Sequence, residues 1–174
     1  MARFKAYPLL AAVDAGDLAR VCQLLGDGAD PNQRSKRPAY TPLPLAALRG
    51  HAGICRALLD AGAKRMERVN RDEGNELELA ARGGHIDVCR ELLMNFNYPQ
   101  RKLSSAAIAA AYWDQPEVLR QLLTAGALIT EKVFATLSPE ARATLLAVRS
   151  QLVGEHLDDR LAPASAPLRD IERM

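Results

Sequence analysis

Residues of the same type recur at a nearly constant interval along most of this chain, and this periodicity constrains the fold more than any other feature. Gly16, Gly50 and Gly84 are 34 residues apart, and Asp114 takes the matching place 30 residues later. A second column of the same alignment holds four leucine pairs: Leu24-Leu25, Leu58-Leu59, Leu92-Leu93 and Leu122-Leu123. A period of this length indicates one small structural unit that is repeated and stacked.

Each repeated block predicts two antiparallel helices joined by a tight turn. Thr41 suits the N-cap of a first helix and Pro42 its first turn. Gly50 permits the turn, and Gly62 ends the second helix in a left-handed conformation. Aromatic residues make up only 5% of the chain, so alanine and leucine must form a closely packed helical core. The four blocks cover residues 9–29, 43–63, 77–96 and 107–127.

The second block carries a recognisable motif. It reads T-P-L-P-L-A-A at 41–47, followed by G-H at 50–51, I-C at 54–55, L-L at 58–59 and G-A at 62–63. This pattern resembles the ankyrin repeat, T-P-L-H-x-A followed by G-H, an apolar pair, L-L and G-A. The resemblance extends over about residues 7–127. Pro44 replaces the family's histidine, and the equivalent places in the other blocks hold Leu10, Glu78 and Ile108.

The resemblance implies an all-α fold, an ankyrin-repeat solenoid of stacked helix-turn-helix units closed by a C-terminal helical cap. We expect repeats at about 7–40, 41–74, 75–104 and 105–129, a degenerate cap at 130–160 and a mobile tail at 161–174. Two helices are predicted in the cap, the second capped by Ser138. Spacing predicts two long fingers between repeats and a clipped third one, with the next helix starting at Ser105.

Composition excludes several classes of protein. A net charge of +2 is too small to indicate binding to nucleic acid or a membrane. We recognise neither a signal peptide nor an apolar stretch of spanning length. Three cysteines without a C-x-x-C pair predict reduced thiols in the cytoplasm, buried as small apolar residues, with Cys22 the more exposed one.

The sequence contains no catalytic, cofactor-binding or metal-binding motif. His51 and His85 follow turn glycines at matching places, where the fold calls for a polar residue, so we interpret them as structural. We therefore expect no enzyme, no cofactor and no metal. An enzyme or redox protein that uses Cys22 or His51 is the rival hypothesis, which unchanged activity in a Cys22→Ser variant would dismiss.

The resemblance also indicates which residues line the concave groove that binds partners, namely the two before each turn. In this chain they are Asp14-Ala15, Leu48-Arg49, Arg82-Gly83 and Tyr112-Trp113. Trp, Tyr and Arg dominate binding energy at interfaces. We therefore predict that Leu48, Arg49, Arg82, Tyr112 and Trp113 contact a partner, with Tyr40 beside them. Packing of Trp113 against the cap is the structural alternative.

Cations cluster in the two long fingers. The residues predicted to contact a partner there are Arg34, Arg37, Arg65 and Arg68, accompanied by Lys36, Lys64 and Arg71. Adjacent fingers would place them on one basic rim facing an acidic protein surface. A merely solvated loop surface is the alternative. Nucleic acid is not expected, because no aromatic residues are interleaved with the cations.

The predicted function is protein binding without catalysis, by a cytoplasmic chain that we expect to be a monomer. An inhibitor, such as an immunity protein that blocks a toxin or enzyme, would use the same fold and is the alternative. Loss of a toxin's activity on mixing would distinguish the two functions. The identity of the partner is not encoded in the surface residues of one chain.

Overall fold

The computed structural model describes residues 6–36, 40–65 and 74–154. Several residues discussed above lie outside these ranges: Arg37, Arg68, Arg71, the end of the predicted cap and the predicted tail. The described residues form ten helices and no strand. The helices are α1 (Pro8–Ala15), α2 (Leu18–Gly26), α3 (Pro42–Arg49), α4 (Ala52–Asp60), α5 (Glu76–Arg82), α6 (Ile86–Asn95), α7 (Gln100–Tyr112), α8 (Pro116–Thr124), α9 (Glu131–Thr136) and α10 (Pro139–Gly154).

Consecutive helices pair and the pairs stack in two layers. The odd-numbered helices α1, α3, α5 and α7 contact one another in chain order and form the inner layer. Helices α2, α4, α6 and α8 do the same in the outer layer. Ala46, Ala47, Ala80 and Ala81 are completely buried, because their small side chains allow neighbouring helices to approach closely. The predicted all-α repeat fold is confirmed.

The turn within each pair has the same left-handed backbone. The φ angles are +73° at Gly16, +76° at Gly50 and +72° at Gly84. Asp114 has a φ of +53°, the only positive value at a non-glycine residue in the described ranges. Aspartate tolerates this region better than most side chains. Here its Oδ1 accepts a hydrogen bond of 2.5 Å from the Thr144 hydroxyl of α10, so the strained turn is tied to the cap.

A polar side chain covers three of these turns from the following repeat. A Cβ atom on Gly16 would lie 2.9 Å from Cε1 of His51, and one on Gly50 would lie 2.5 Å from Nδ1 of His85. Gln115 occupies the same place over Gly84. The Nε2 atom of His85 is also 3.3 Å from the carbonyl oxygen of Leu48. Both histidines thus pack between repeats, which supports the structural interpretation.

The three thiols differ in environment. Cys55 and Cys89 are buried in the core, and Cys22 is exposed. Burial raises the pKa of both core thiols to about 12. The expectation that all three are buried is therefore wrong for Cys22, while its predicted greater exposure is confirmed. It lies on the outer side of α2, the first outer helix.

The third finger is clipped as predicted, but the helix that follows starts earlier than expected. The structure has only residues 96–99 between α6 and α7, and α7 begins at Gln100 instead of Ser105. Tyr98 is buried and Pro99 has extended backbone. The next residues are good helix formers, and Leu103 is buried among the core residues, so an extra turn of helix replaces the finger.

The two helices at the C-terminal end are of unequal length. α9 has 6 residues and α10 has 16. The Ser138 Oγ accepts a 3.2 Å hydrogen bond from the Ala141 amide at the start of α10. α10 contacts α7 and α8 through a buried stripe, Ala141, Leu145, Val148 and Leu152. α10 therefore closes the outer layer and also contacts the inner helix α7, whereas α9 does not stack along α7.

Candidate protein-binding surface

The inner helices end in a row of equivalent positions, which we call the inner row: Asp14-Ala15, Leu48-Arg49, Arg82-Gly83 and Tyr112-Trp113. Each pair directly precedes the left-handed residue of its turn, which is Gly16, Gly50, Gly84 or Asp114. Stacking of the inner helices places these pairs side by side. The row runs through charged residues in the first three repeats and ends in two aromatic residues.

Tyr112 and Trp113 are exposed to solvent. The two residues are 63% and 53% exposed, and their ring centroids lie 5.8 Å apart in a T-shaped arrangement with an angle of 72° between the rings. Trp113 therefore does not belong to the core of the C-terminal helices, which was the alternative. Two large aromatic side chains that contact each other on the surface leave apolar area in water, which is typical of binding sites.

The charged part of the inner row is partly neutralised. Arg49 donates two hydrogen bonds to Oδ1 of Asp14, 2.8 Å from Nε and 2.6 Å from Nη2. Their side chains are 40% and 27% exposed, so the pair joins the first two repeats at the surface. A partner that contacts Arg49, as predicted, therefore meets a guanidinium that is already paired with Asp14. Arg82 is half-buried and forms no ion pair within the described ranges.

His51 lies close to this pair and titrates abnormally. Burial, the charge of Arg49 and the neighbouring His85 lower the pKa of His51 below its ordinary value of 6.5, with Asp14 opposing. The imidazole is consequently neutral near pH 7. The charged side chains in this part of the inner row are then Asp14 and Arg49, whose opposite charges neutralise each other.

Tyr40 and Leu48 are less accessible than predicted. Tyr40 is only 5% exposed, so it offers a partner almost no surface. Its amide donates to Ser35 Oγ at 3.1 Å, and its carbonyl accepts from the Ser35 amide at 2.9 Å. The residue before the N-cap Thr41 therefore packs inward and closes the base of the first finger. Leu48 is half-buried and packs against the core.

The described cations of the fingers are exposed but not alike. Arg34 and Arg65 are both on the surface. Arg65 packs its guanidinium 5.7 Å from the Tyr98 ring centroid and donates to the carbonyl of Asn97 at 3.2 Å. Asn32 links the bases of the first two fingers, since it donates to the Gly62 carbonyl and accepts from the Lys64 amide. Whether the cations form one basic rim stays a prediction.

A family model described as ankyrin repeats, in three copies, matches residues 9–102. This chain belongs to the ankyrin-repeat family. Ankyrin repeats are generally modules for protein–protein interaction, and proteins of this family are typically non-catalytic. No curated protein matches the sequence. The match stops inside α7, so the aromatic pair lies in a part of the stack that follows the matched ankyrin repeats.

In the described part of the ankyrin stack, the side chains that could bind a metal ion are dispersed. Its His, Cys, Asp and Glu side chains do not form a group of three that could hold a metal ion. Within the same ranges, no helix is both long and apolar enough to cross a bilayer. Cys22 is exposed, but no histidine contact accompanies it in the described hydrogen bonds.

Sequence reasoning missed two features, a buried carboxylate and a surface pocket. Glu76 is completely buried and accepts a 2.7 Å hydrogen bond from the Tyr98 hydroxyl. Burial and this carboxylate raise the pKa of Tyr98, although Arg65 opposes the shift. Glu76 takes the place of Pro42 in the repeat alignment, and that exchange was the available signal. The other missed feature is a surface pocket beside α7, which depends on the unexpectedly early start of that helix.

Proposed function

We propose that this ankyrin-repeat chain binds another protein through its inner row, with Tyr112 and Trp113 as the apolar anchor and Arg82 as the neighbouring cation. The exposure of the aromatic pair carries the proposal. Trp, Tyr and Arg are enriched among the residues that contribute most to binding energy at interfaces. The equivalent positions of the first two repeats are engaged within the chain, Asp14 with Arg49 and Leu48 with the core.

The charge around the anchor favours an acidic contact on the partner. Arg82 adjoins the aromatic pair in the inner row, and Arg34 and Arg65 are exposed in the fingers. An acidic group beside an apolar side chain on the partner would satisfy both parts of this surface. We also propose that the chain acts as a monomer in the cytoplasm, without catalysis and without binding nucleic acid or membranes. The pattern of cysteines and the small net charge support this part.

The test begins with affinity capture on the full chain and identification of the bound protein by mass spectrometry. Its affinity is then measured for Tyr112→Ala, Trp113→Ala and the control Met94→Ala. Met94 is 71% exposed but lies on the outer helix α6. We expect each aromatic variant to weaken binding by about tenfold or more, with the control unchanged. Equal affinity of all folded variants would refute the assignment.

The captured protein also separates a scaffold from an inhibitor. A blocking role would use the same inner row, and it predicts that the partner is an enzyme or toxin that loses activity on binding. Unchanged activity of the captured partner would exclude the inhibitor.

A further inference from the structure

One face of each inner helix packs against the next repeat, and this face is incompletely covered on α7. On α1 the face includes Leu10, which is 0% exposed, and on α3 it includes Pro44, which is also buried. The corresponding residues of α5 and α7, Glu78 and Ile108, are only half-buried. One turn further, Leu48 of α3 is half-buried, whereas Tyr112 of α7 is 63% exposed.

The reason for this difference is the placement of α9. In the preceding repeats the next inner helix covers the face: α3 covers α1, α5 covers α3 and α7 covers α5. After α7 the chain forms α9, which is nearly as long as α5 (6 against 7 residues) but does not stack along α7 in the same way. α10, with 16 residues, closes the outer layer against α8 and also contacts α7. The stack therefore ends with its outer layer closed and its inner layer only partly covered.

A surface pocket of about 440 Å³ marks the open place. Ile108 of α7 lines one side, and Leu128 and Val133 line the other. Leu128 is 38% exposed, and its amide donates a 3.0 Å hydrogen bond to Ser104 Oγ, which holds the two walls in place. The pocket has apolar walls and lies directly beside the aromatic end of the inner row.

The charge at the far end of this face is positive. Arg101, Ser105, Ile108 and Tyr112 are spaced by four, three and four residues, so they lie on one face of α7. This face extends over about 16 Å, given a rise of 1.5 Å per residue. Arg101 is exposed, and the residues that line the pocket include no acidic side chain.

We propose that an amphipathic helix of the partner protein packs on this face of α7, beside α9. Its apolar residues, one turn apart, pack on Ile108 and Tyr112, and a carboxylate near one end contacts Arg101. The inference rests on the proposed function, because it extends the binding surface that includes Tyr112. A helix fits because helices cover the equivalent face in the preceding repeats, and the serines beside Ile108 permit close approach.

The experiment uses a display library of 14-residue peptides on an alanine-based helical scaffold, with one face randomised, selected on the full chain. We expect selected peptides to carry two large apolar residues three or four positions apart and an acidic residue near one end. Leu128→Asp and Ile108→Ser should each weaken their binding by about tenfold. Arg101→Glu should shift the selected charge from acidic to basic. Met94→Asp on the outer surface is the control and should change nothing.

The outcomes separate this inference from the proposed function. Peptides that lose affinity with Trp113→Ala, but bind Leu128→Asp and Ile108→Ser as tightly as the parent, would overturn the inference and leave the inner row in place. Failure to enrich any peptide over the Leu128→Asp variant would also overturn it. Loss of binding in Leu128→Asp with a normal unfolding transition excludes misfolding as the cause.

Two other occupants of the face are also tested. Sedimentation that shows a dimer of the parent, but a monomer of Leu128→Asp, would assign the face to a second copy of the chain. Asp158 and Asp159 are acidic residues of the C-terminal segment that follows α10 in the sequence. If the full chain with Asp158→Lys and Asp159→Lys binds the peptides more tightly than the parent does, the face would be assigned to that segment. Either result overturns the inference.

Discussion

The two ends of the inner layer differ in how their polar and apolar groups are satisfied. At the N-terminal end, α3 covers α1, Leu10 is buried, and Asp14 is paired with Arg49. At the C-terminal end, Tyr112 and Trp113 remain exposed. Stacking covers an inner helix only when the following inner helix packs along it. The same repeated architecture therefore produces a closed surface at one end and an accessible apolar surface at the other.

The strongest way to break this comparison is to damage the closure of the outer layer. Leu145 of α10 is 5% exposed, while its neighbour Leu146 is 44% exposed. We expect Leu145→Ala to lower the free energy of unfolding by about 3 kcal/mol, because it leaves a cavity in the core. Leu146→Ala should lower it by less than about 0.5 kcal/mol. Urea unfolding measures both variants, and equal effects would show that α10 does not close the stack.

The second prediction concerns the turns that join the helices in the N-terminal half. Gly50 has a φ of +76°, and a Cβ atom there would approach His85 Nδ1 to 2.5 Å. We expect Gly50→Ala to lower the free energy of unfolding by about 2 kcal/mol, from left-handed strain plus this contact. Gly26 has no atom within 4 Å of the same added Cβ, so Gly26→Ala is the matched control. Thermal unfolding should leave the control near the parent.

The third prediction sharpens the contrast between the paired and the exposed ends of the inner row. A double-mutant cycle with Asp14→Asn and Arg49→Gln should give a coupling free energy of about 0.5 kcal/mol, since the pair is partly exposed. The coupling free energy should decrease in 1 M salt, where the Debye length is only about 3 Å. A coupling that does not change with salt would mean that packing, and not charge, joins these residues.

The smallest expected effect is a pH dependence at the same junction. The pKa of His51 is lowered in the folded chain from its ordinary 6.5. Above pH 6.5 the imidazole is neutral in both states and the stability is complete. As the pH falls below 6.5, the unfolded chain takes up the proton first, so stability decreases until the folded pKa is passed.

His51→Gln should reduce this dependence. Glutamine is a suitable replacement because Gln115 occupies the equivalent place over Gly84. The measurement is the urea midpoint between pH 5 and 8 for the parent and the variant. Parallel curves for the two proteins would show that other groups cause the pH dependence.

Interactions within one repeat could be predicted because they depend on residues close together in the chain. The left-handed turns at Gly16, Gly50 and Gly84 follow from local backbone preference, and the capping of α10 by Ser138 follows from a short-range hydrogen bond. The exposed aromatic pair of the inner row was also predicted, because its position relative to the turn is the same in every repeat. Its role in binding stays a prediction.

Features that depend on tertiary packing could not be predicted. Local pattern does not show that Tyr40 is buried, that Arg49 pairs with Asp14 or that α7 starts at Gln100. The ion pair depends on a side chain from a neighbouring unit about one repeat away in sequence, and the other two depend on how Tyr40 and Leu103 pack in the core.

The sequence alone thus determined the helical pairs, their turns and their order, because these arise from backbone preferences and the spacing of apolar residues. Only the tertiary structure decided which surfaces stay open. A side chain is buried or exposed according to which helix packs against it. Tyr112 stays exposed because α9 does not stack along α7 as the earlier inner helices stack on one another.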